Sequence, residues 1–361
     1  MATPKDTLWE LDPHTLGKHL VLRAYLDAWL PVMGSWQGRL LFIDGFAGPG
    51  EYEGGEEGSP QIAMRALVDH SADIAAQVNF YFIEGKKDRA AHLGGIADLW
   101  RPKLPSKSKV NVAHGTFDET MSELLNYLDE GKSRLAPSFV MIDPFGVAGT
   151  PMSVVRRIMK NRRCEVYVSL MYEAINRWKT ELPQHLDDLF GCTDWRDCAE
   201  VEDRDERRRS FYQLYEDQLR DAGARQVVHF DLYEGNRLIY SIFFATHHEK
   251  GSDLMKKAIW KVAPEGGYEF KGTTSTQLPL TLEPNFMPLM QQLADKFGDG
   301  AWHSVESIQS FMRSDRTSYH SGQLKTLTLK PMEKAGRLEA DPDTRKQNFT
   351  YPAGCKLRFN N

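Results

Sequence analysis

The sequence has few cysteines, no long apolar run and no strong surplus of either charge, and each shortage closes off a class of protein. The four cysteines, Cys164, Cys192, Cys198 and Cys355, are scattered. Only Cys192 and Cys198 lie close together, and no Cys or His pair completes a zinc set, so plain thiols and no metal are expected. No eighteen consecutive residues are apolar, so no membrane span is expected. The opening MATPKDTLWELD lacks the apolar core of a secretion signal, which points to the cytoplasm. With 45 basic and 50 acidic residues the net charge is −5. That excludes a generic polyanion binder, although a local basic patch would suffice for nucleic acid. There are no internal repeats and no low-complexity tracts. What is present is an ordinary globular composition, 41% hydrophobic and 26% charged over 361 residues, long enough for two domains.

Apolar periodicity places an amphipathic helix over 14–30 and a buried strand over Arg39–Asp44, RLLFID. A glycine-rich loop follows, and Ser59-Pro60 reads as an N-cap with proline at the first helical position, opening a helix to about Asp69. Strands are expected over 78–84, 110–114, 137–143 and 165–170, with helices over 86–99, 117–128 and 151–161 between them. Such alternation predicts a parallel sheet. A charged helix over 203–221 then precedes two strands, 226–232 and 238–247, joined by a turn at Glu234-Gly235-Asn236. A Rossmann-like parallel sheet ending in an antiparallel hairpin is the layout of class I methyltransferases. Residues 281–361 form a second unit: helices over 286–297, 305–313 (N-cap Ser304) and 321–335, then short strands over 337–340 and 348–351. That order predicts a winged-helix domain behind a 1–280 methyltransferase-like domain. The second unit carries eleven Lys/Arg and nine Asp/Glu, a mild +2.

The loop FIDGFAGPG sets the chemistry. A dinucleotide fingerprint needs a third glycine where Glu53 stands, and it should run straight into a helix. Glu51, Glu53, Glu56 and Glu57 would also repel a pyrophosphate. There is no GK[ST], so a P-loop is not indicated. S-adenosylmethionine suits the loop better, because its sulfonium and ammonium are positive and it carries no phosphate. The cofactor set is therefore Asp44, Gly45, Phe46, Ala47, Gly48 and Gly50, where glycines let the backbone pass close to a ligand. Glu84 closes the second strand, where an acid can accept from ribose hydroxyls. Thr116, Phe117 and Asp118 follow the third, where such enzymes hold the adenine edge. Asp143-Pro144-Phe145-Gly146 ends the fourth. N6-adenine methyltransferases carry D/N-P-P-Y/F/W there, using an acid or amide oxygen and a proline carbonyl to accept from an exocyclic amino group beneath an aromatic ring. The second proline is missing here, and the spelling resembles the D-P-F-G of tRNA guanine-N2 dimethyltransferases. Asp143, Pro144 and Phe145 are the catalytic candidates. Tyr172, Asn176 and Arg177 after the fifth strand are candidates for the acceptor, and Arg313, Arg316 and Lys325 for phosphates. His14 and Lys18 share a helix face and are further candidates to touch the site.

The pieces HTLGKHLVLRAYLDAW, IDGFAGPGEYEGGEEGSPQIAMRAL, FIEGKK, MIDPFG and YSIFFATHHEKGSDLMKKAIWKV resemble the three-Cys-motif partner protein family, encoded beside a three-cysteine-motif protein. The resemblance spans nearly the whole methyltransferase-like region. It implies a methyltransferase-like fold and a protein partner, and supplies no catalytic residue beyond the motifs above. Two functions follow as expectations. One is S-adenosylmethionine-dependent methylation of an exocyclic amino group in RNA or DNA. The other is a non-catalytic partner or regulatory subunit of a three-cysteine-motif protein in a phage- or defence-related system.

Overall fold

The computed structural model of the chain describes residues 6–35, 38–234, 236–264, 269–271 and 284–360. Its main sheet contains β1 (Arg39–Asp44), β2 (Gln77–Glu84), β3 (Lys109–His114), β4 (Ser138–Ile142), β5 (Cys164–Leu170), β6 (Gln226–Glu234), β7 (Arg237–Thr246) and the short β8 (Glu269–Lys271). Their spatial order is 3-2-1-4-5-7-6-8. The first five strands are parallel neighbours, and β7 enters antiparallel between β5 and β6. This is the expected Rossmann-like methyltransferase sheet. Order reverses between β1 and β4, so the carboxyl ends of those strands open the crevice where ligands bind in such sheets. Every residue of β4 and β5 is buried, as parallel strands covered on both faces should be.

Helices α1 (Pro13–Gly34), α2 (Ser59–Val68), α3 (Lys87–Trp100), α4 (Phe117–Glu130) and α5 (Met152–Met159) fall close to their expected places. They are followed by α6 (Tyr172–Glu181), α7 (Pro183–Phe190), α8 (Trp195–Glu200), α9 (Arg204–Asp221) and α10 (Glu249–Val262). α1 packs with α2 and α10, while α5 meets α4, α7 and α9. Buried Tyr25 and Trp29 of α1 pack on Phe139 of β4, whose ring stacks on Phe42 of β1 at 5.7 Å. The Tyr25 hydroxyl donates to Glu165 Oε2 in β5 at 2.7 Å, and Thr246 Oγ1 donates to the other oxygen at 2.8 Å. No helix among the described residues is long and apolar enough to cross a membrane.

Several expectations change. Ser59 does not cap α2: Gly58 is the cap residue, and the Ser59 hydroxyl is spent on Asp44. The hairpin forms with a register shift at Leu232/Tyr233, and Gly235 of its turn lies outside the described residues. α10 had no counterpart in the periodicity reading, because its buried face includes the polar Ser252, Asp253 and Lys256. The side chain of His14 and the 280/281 boundary lie outside what is described.

The C-terminal unit contains α11 (Met287–Phe297), β9 (His303–Ser304), α12 (Val305–Arg313), α13 (Lys330–Lys334), β10 (Leu338–Ala340) and β11 (Lys356–Phe359). Ser304 caps α12 as expected, its hydroxyl accepting from Ser307 N at 3.2 Å. The single helix expected over 321–335 is broken into a 3-10 turn, a wide turn over 325–329 and α13. Pro331 has no N–H to continue the regular ladder. The strand expected over 348–351 is a loop, with Phe349 at φ 59°, and β11 forms later, pairing with both β9 and β10. The unit has its own core, including Leu289, Leu293, Ile308, Leu324 and Leu357, with Trp260 of α10 built into it. Lys256 Nζ, also from α10, donates to the carbonyls of Met312 in the last turn of α12 and of Ser314 and Thr317 beyond it.

Candidate active site at the glycine loop

Asp44 ends β1 fully buried, and the loop is built around its carboxylate. Oδ1 accepts from Phe46 N at 3.1 Å and Oδ2 from the Ser59 hydroxyl at 2.6 Å. Gly45 N donates to Met141 O and Ala47 N to Ile83 O, so β4 and β2 hold the loop on either side. Glycine is required twice for different reasons. A Cβ on Gly45 would stand 2.3 Å from the Phe117 ring. Gly50 sits at φ +89°, and its Cβ would meet Leu93 at 2.7 Å. Glu84 ends β2 and accepts from Gly48 N at 2.9 Å and Lys86 N at 2.7 Å. Burial pushes the Asp44 carboxyl up to about 7; Ser59 and Phe46 oppose this, while Asp143 and Glu84 add to it. A buried acid so reluctant to ionise favours a cationic neighbour.

Asp143 follows β4 on the same side of the crevice. Lys18 Nζ of α1 grips both of its oxygens, at 2.9 and 2.7 Å, and lies 4.1 Å from the centre of the Tyr240 ring. Lys18 is 3% exposed. Burial weighs against its charge, but Asp143 and then Tyr240 outweigh burial and leave its pKa raised. Next to it, burial and Lys18 push His19 down to about 3, with Asp143 opposing, so that imidazole is neutral. Above Asp143 the Phe145 ring meets Trp9 edge-on at 5.7 Å, and Trp9 also meets Tyr52 at 5.8 Å. The Arg89 guanidinium covers Trp9 at 4.5 Å and donates to Asp6 O at 2.9 Å. Residues 6–12 thus strap across the loop, with Glu53 N donating to Trp9 O. The cavity beneath holds about 60 Å³, lined by Trp9, Lys18, Gly48, Tyr52, Asp143, Phe145 and Tyr240 among others. That volume suits about two waters. A nucleoside-sized ligand enters only if the strap and Phe145 shift.

The structure therefore gathers Asp44, Gly45, Phe46, Ala47, Gly48, Gly50, Glu84, Asp143, Pro144 and Phe145 at one end of the sheet. Phe117 lies against Gly45 and 5.8 Å from the Phe46 ring. Thr116 precedes α4 with its hydroxyl on Glu119, and Asp118 stands in the first turn. Tyr172, Asn176 and Arg177 do not line the cavity. Tyr172 is buried, with its hydroxyl donating to Arg204 O and accepting from Arg207 Nε, so its ring belongs to the packing of α6 on α9. Arg313 reaches Glu249 at 3.4 Å, Arg316 is exposed, and Lys325 is half-buried. All three belong to the C-terminal unit. Trp9, His19, Tyr52 and Tyr240 escaped sequence reasoning; only the shared face of His14 and Lys18 hinted that α1 reaches the site. No group of three His, Cys, Asp or Glu able to hold a metal occurs among the described residues.

No family model matches the chain, and no curated protein matches it. Among solved structures it is similar to Trm1 from Pyrococcus horikoshii in complex with S-adenosyl-L-methionine, at 11% identity over 99% of this chain and 93% of that one, TM-score 0.40. An O-methyltransferase from Bacillus cereus in complex with SAH aligns at 13% identity over 62% and 80%, TM-score 0.33. Human methyltransferase 10 domain containing protein aligns at 12% over 63% and 83%, TM-score 0.31. All three scores are below 0.5.

Proposed function

We propose that the protein is an S-adenosylmethionine-dependent methyltransferase acting on an exocyclic amino group of a nucleic-acid base. One observation carries this reading: Asp44, Glu84 and Asp143 close the carboxyl ends of β1, β2 and β4 around a glycine loop whose acids would repel a phosphate. The residues fit the cofactor chemically. Asp44 offers a buried carboxylate for the ammonium, Glu84 keeps lone pairs for ribose hydroxyls, and Phe46 covers the methionine part. Thr116, Phe117 and Asp118 flank the adenine position. When bound, the cofactor supplies an electrophilic methyl on a cationic sulfur.

The acceptor side is the work of the chain itself. Asp143 and the Pro144 carbonyl accept from the amino group and turn the nitrogen lone pair toward the methyl. Phe145 stacks on the base once Trp9 withdraws. Lys18 keeps Asp143 charge-balanced until the acceptor arrives and then shares it. Neutral His19 adds no competing charge. The C-terminal unit, read as a winged helix from about residue 281, presents Arg313, Arg316 and Lys325 toward the polynucleotide, and Tyr172, Asn176 and Arg177 hold the α6 side. A cytoplasmic location belongs to the same reading.

A second reading is favoured by the small cavity and the Lys18–Asp143 lock: a methyltransferase-fold subunit of a three-cysteine-motif protein that uses neither ligand. Calorimetric titration with S-adenosylmethionine separates the two. Binding that Asp44→Ala abolishes supports the first, and absence of binding supports the second. With labelled cofactor and bulk RNA or DNA, Asp143→Ala should abolish transfer and leave cofactor binding intact; retained transfer would remove Asp143 from its role.

A further inference from the structure

The loop ends of the sheet opposite the candidate active site carry the contrary charge. Residues 131–137 lead into β4, 160–163 into β5 and 222–225 into β6, and register places these at one edge, since Ser138 pairs with Cys164 and Gln226 with Thr246. Between them lies a groove of about 520 Å³ lined by Lys132, Arg134, Arg157, Lys160 and Arg162, with one acid, Asp129. Arg157 takes that acid at 2.8 Å. Lys132, Arg134, Lys160, Arg162 and neighbouring Arg225 are exposed and have no carboxylate partner among the described residues. Burial holds His247 below its ordinary value against its hydrogen bond to the Met159 carbonyl, and Arg225 and Arg162 add to the lowering.

The groove is also built rather than frayed. Asn161 accepts from Leu135 N at 3.2 Å and donates to the carbonyls of Arg157 and Ile158, tying both walls together. In a chain of net charge −5, five unpaired cations on one braced edge cost self-repulsion that a polyanion relieves. Arg225 extends the patch to the C-terminal unit. The next residue, Gln226, accepts from Asp315 N, and exposed Arg316 follows.

We propose that this amino-edge groove seats the phosphodiester backbone of a single-stranded nucleic acid whose base is presented at the opposite end of the sheet. The identity of the polyanion rests on the nucleic-acid half of the proposed function. Guanidinium forks and ammonium groups suit phosphate oxygens. The acid-lined catalytic end repels phosphates, so the backbone needs an anchor elsewhere. Strands of five to seven residues separate the two ends by roughly 20 Å. A polymer bridges that distance and a mononucleotide does not.

The test is fluorescence anisotropy with a labelled 20-nucleotide RNA and the matching DNA, over a salt series. The full chain is compared with Arg134→Glu/Lys160→Glu/Arg162→Glu and with the milder Arg134→Ala. The expected result is at least a tenfold loss in the triple variant and a salt slope smaller by about 2, near 0.7 for each contact. Calorimetry with S-adenosylmethionine should give the same affinity in both proteins, which also shows the variant folded. Oligonucleotide binding with unchanged affinity and slope overturns the groove and leaves the acceptor reading intact. Full-length protein that binds neither oligonucleotide, or binds only phosphatidylserine vesicles, overturns the groove together with the nucleic-acid half, leaving the cofactor site to its own test.

Discussion

Asp44 illustrates how one buried carboxyl links folding and binding. Its folded value is near 7 against an ordinary 3.8. The folded state therefore holds a proton that the unfolded chain releases. Its contribution to stability is complete below the ordinary value and is lost as pH rises through about 7. A bound ammonium reverses the preference, because it favours the ionised form. Cofactor affinity should then rise with pH up to about 7 and level off, with proton release on binding. Asp44→Asn should flatten that profile; calorimetry in two buffers of different ionisation heat measures both. Lys18 makes a second residue-scale case. Lys18→Met strands the Asp143 carboxylate, which is 20% exposed at the side chain, and should cost about 1–3 kcal/mol in thermal or urea unfolding. Lys18→Met/Asp143→Leu should recover most of that loss, because no unpaired charge remains.

Among elements, the glycine loop is the least tolerant of change. Gly50→Ala combines an unfavourable φ with a clash on Leu93 and should destabilise by about 1–3 kcal/mol, read as a lower urea midpoint at unchanged slope. The loop and its three acids were legible because buried parallel strands read as apolar runs, and an acid closing such a run stands out. RLLFID, VNFYFIE and PSFVMID are all of this kind. What closes the site was not legible. Trp9 and Tyr52 belong to segments without periodicity, and Lys18 meets Asp143 across 125 residues. Ser59 was misread for a related reason: its local signal is that of a cap, and only the fold brings Asp44 to its hydroxyl. α10 hid because polar residues occupy its buried face to serve the C-terminal unit.

At the scale of the whole molecule, that unit is fastened chiefly by α10. Asp253 accepts from Ser321 N and Oγ at 2.7 Å, Lys256 holds three carbonyls, and Trp260 Nε1 donates to Ser318 O at 2.8 Å. Arg220–Asp315 adds a tie from α9 at 2.7 Å. Lys256→Ala takes a donor from three carbonyls, two of them in buried hydrogen bonds, and should split one cooperative denaturant transition into two, the C-terminal unit melting first. A single transition at an unchanged midpoint would show that the apolar contacts of Trp260 suffice.

The position of α1 also bears on how the protein is made. This helix leaves the ribosome before every strand it serves. Its Lys18 finds Asp143 125 residues later, and Tyr25 finds Glu165 140 residues later. Tyr240, under Lys18, emerges later still. The nascent chain therefore carries an unpaired lysine and an uncovered apolar helix face until those strands emerge, and the pocket closes only when the final hairpin is out. A product truncated before β7 would keep the glycine loop yet lack the floor of the site.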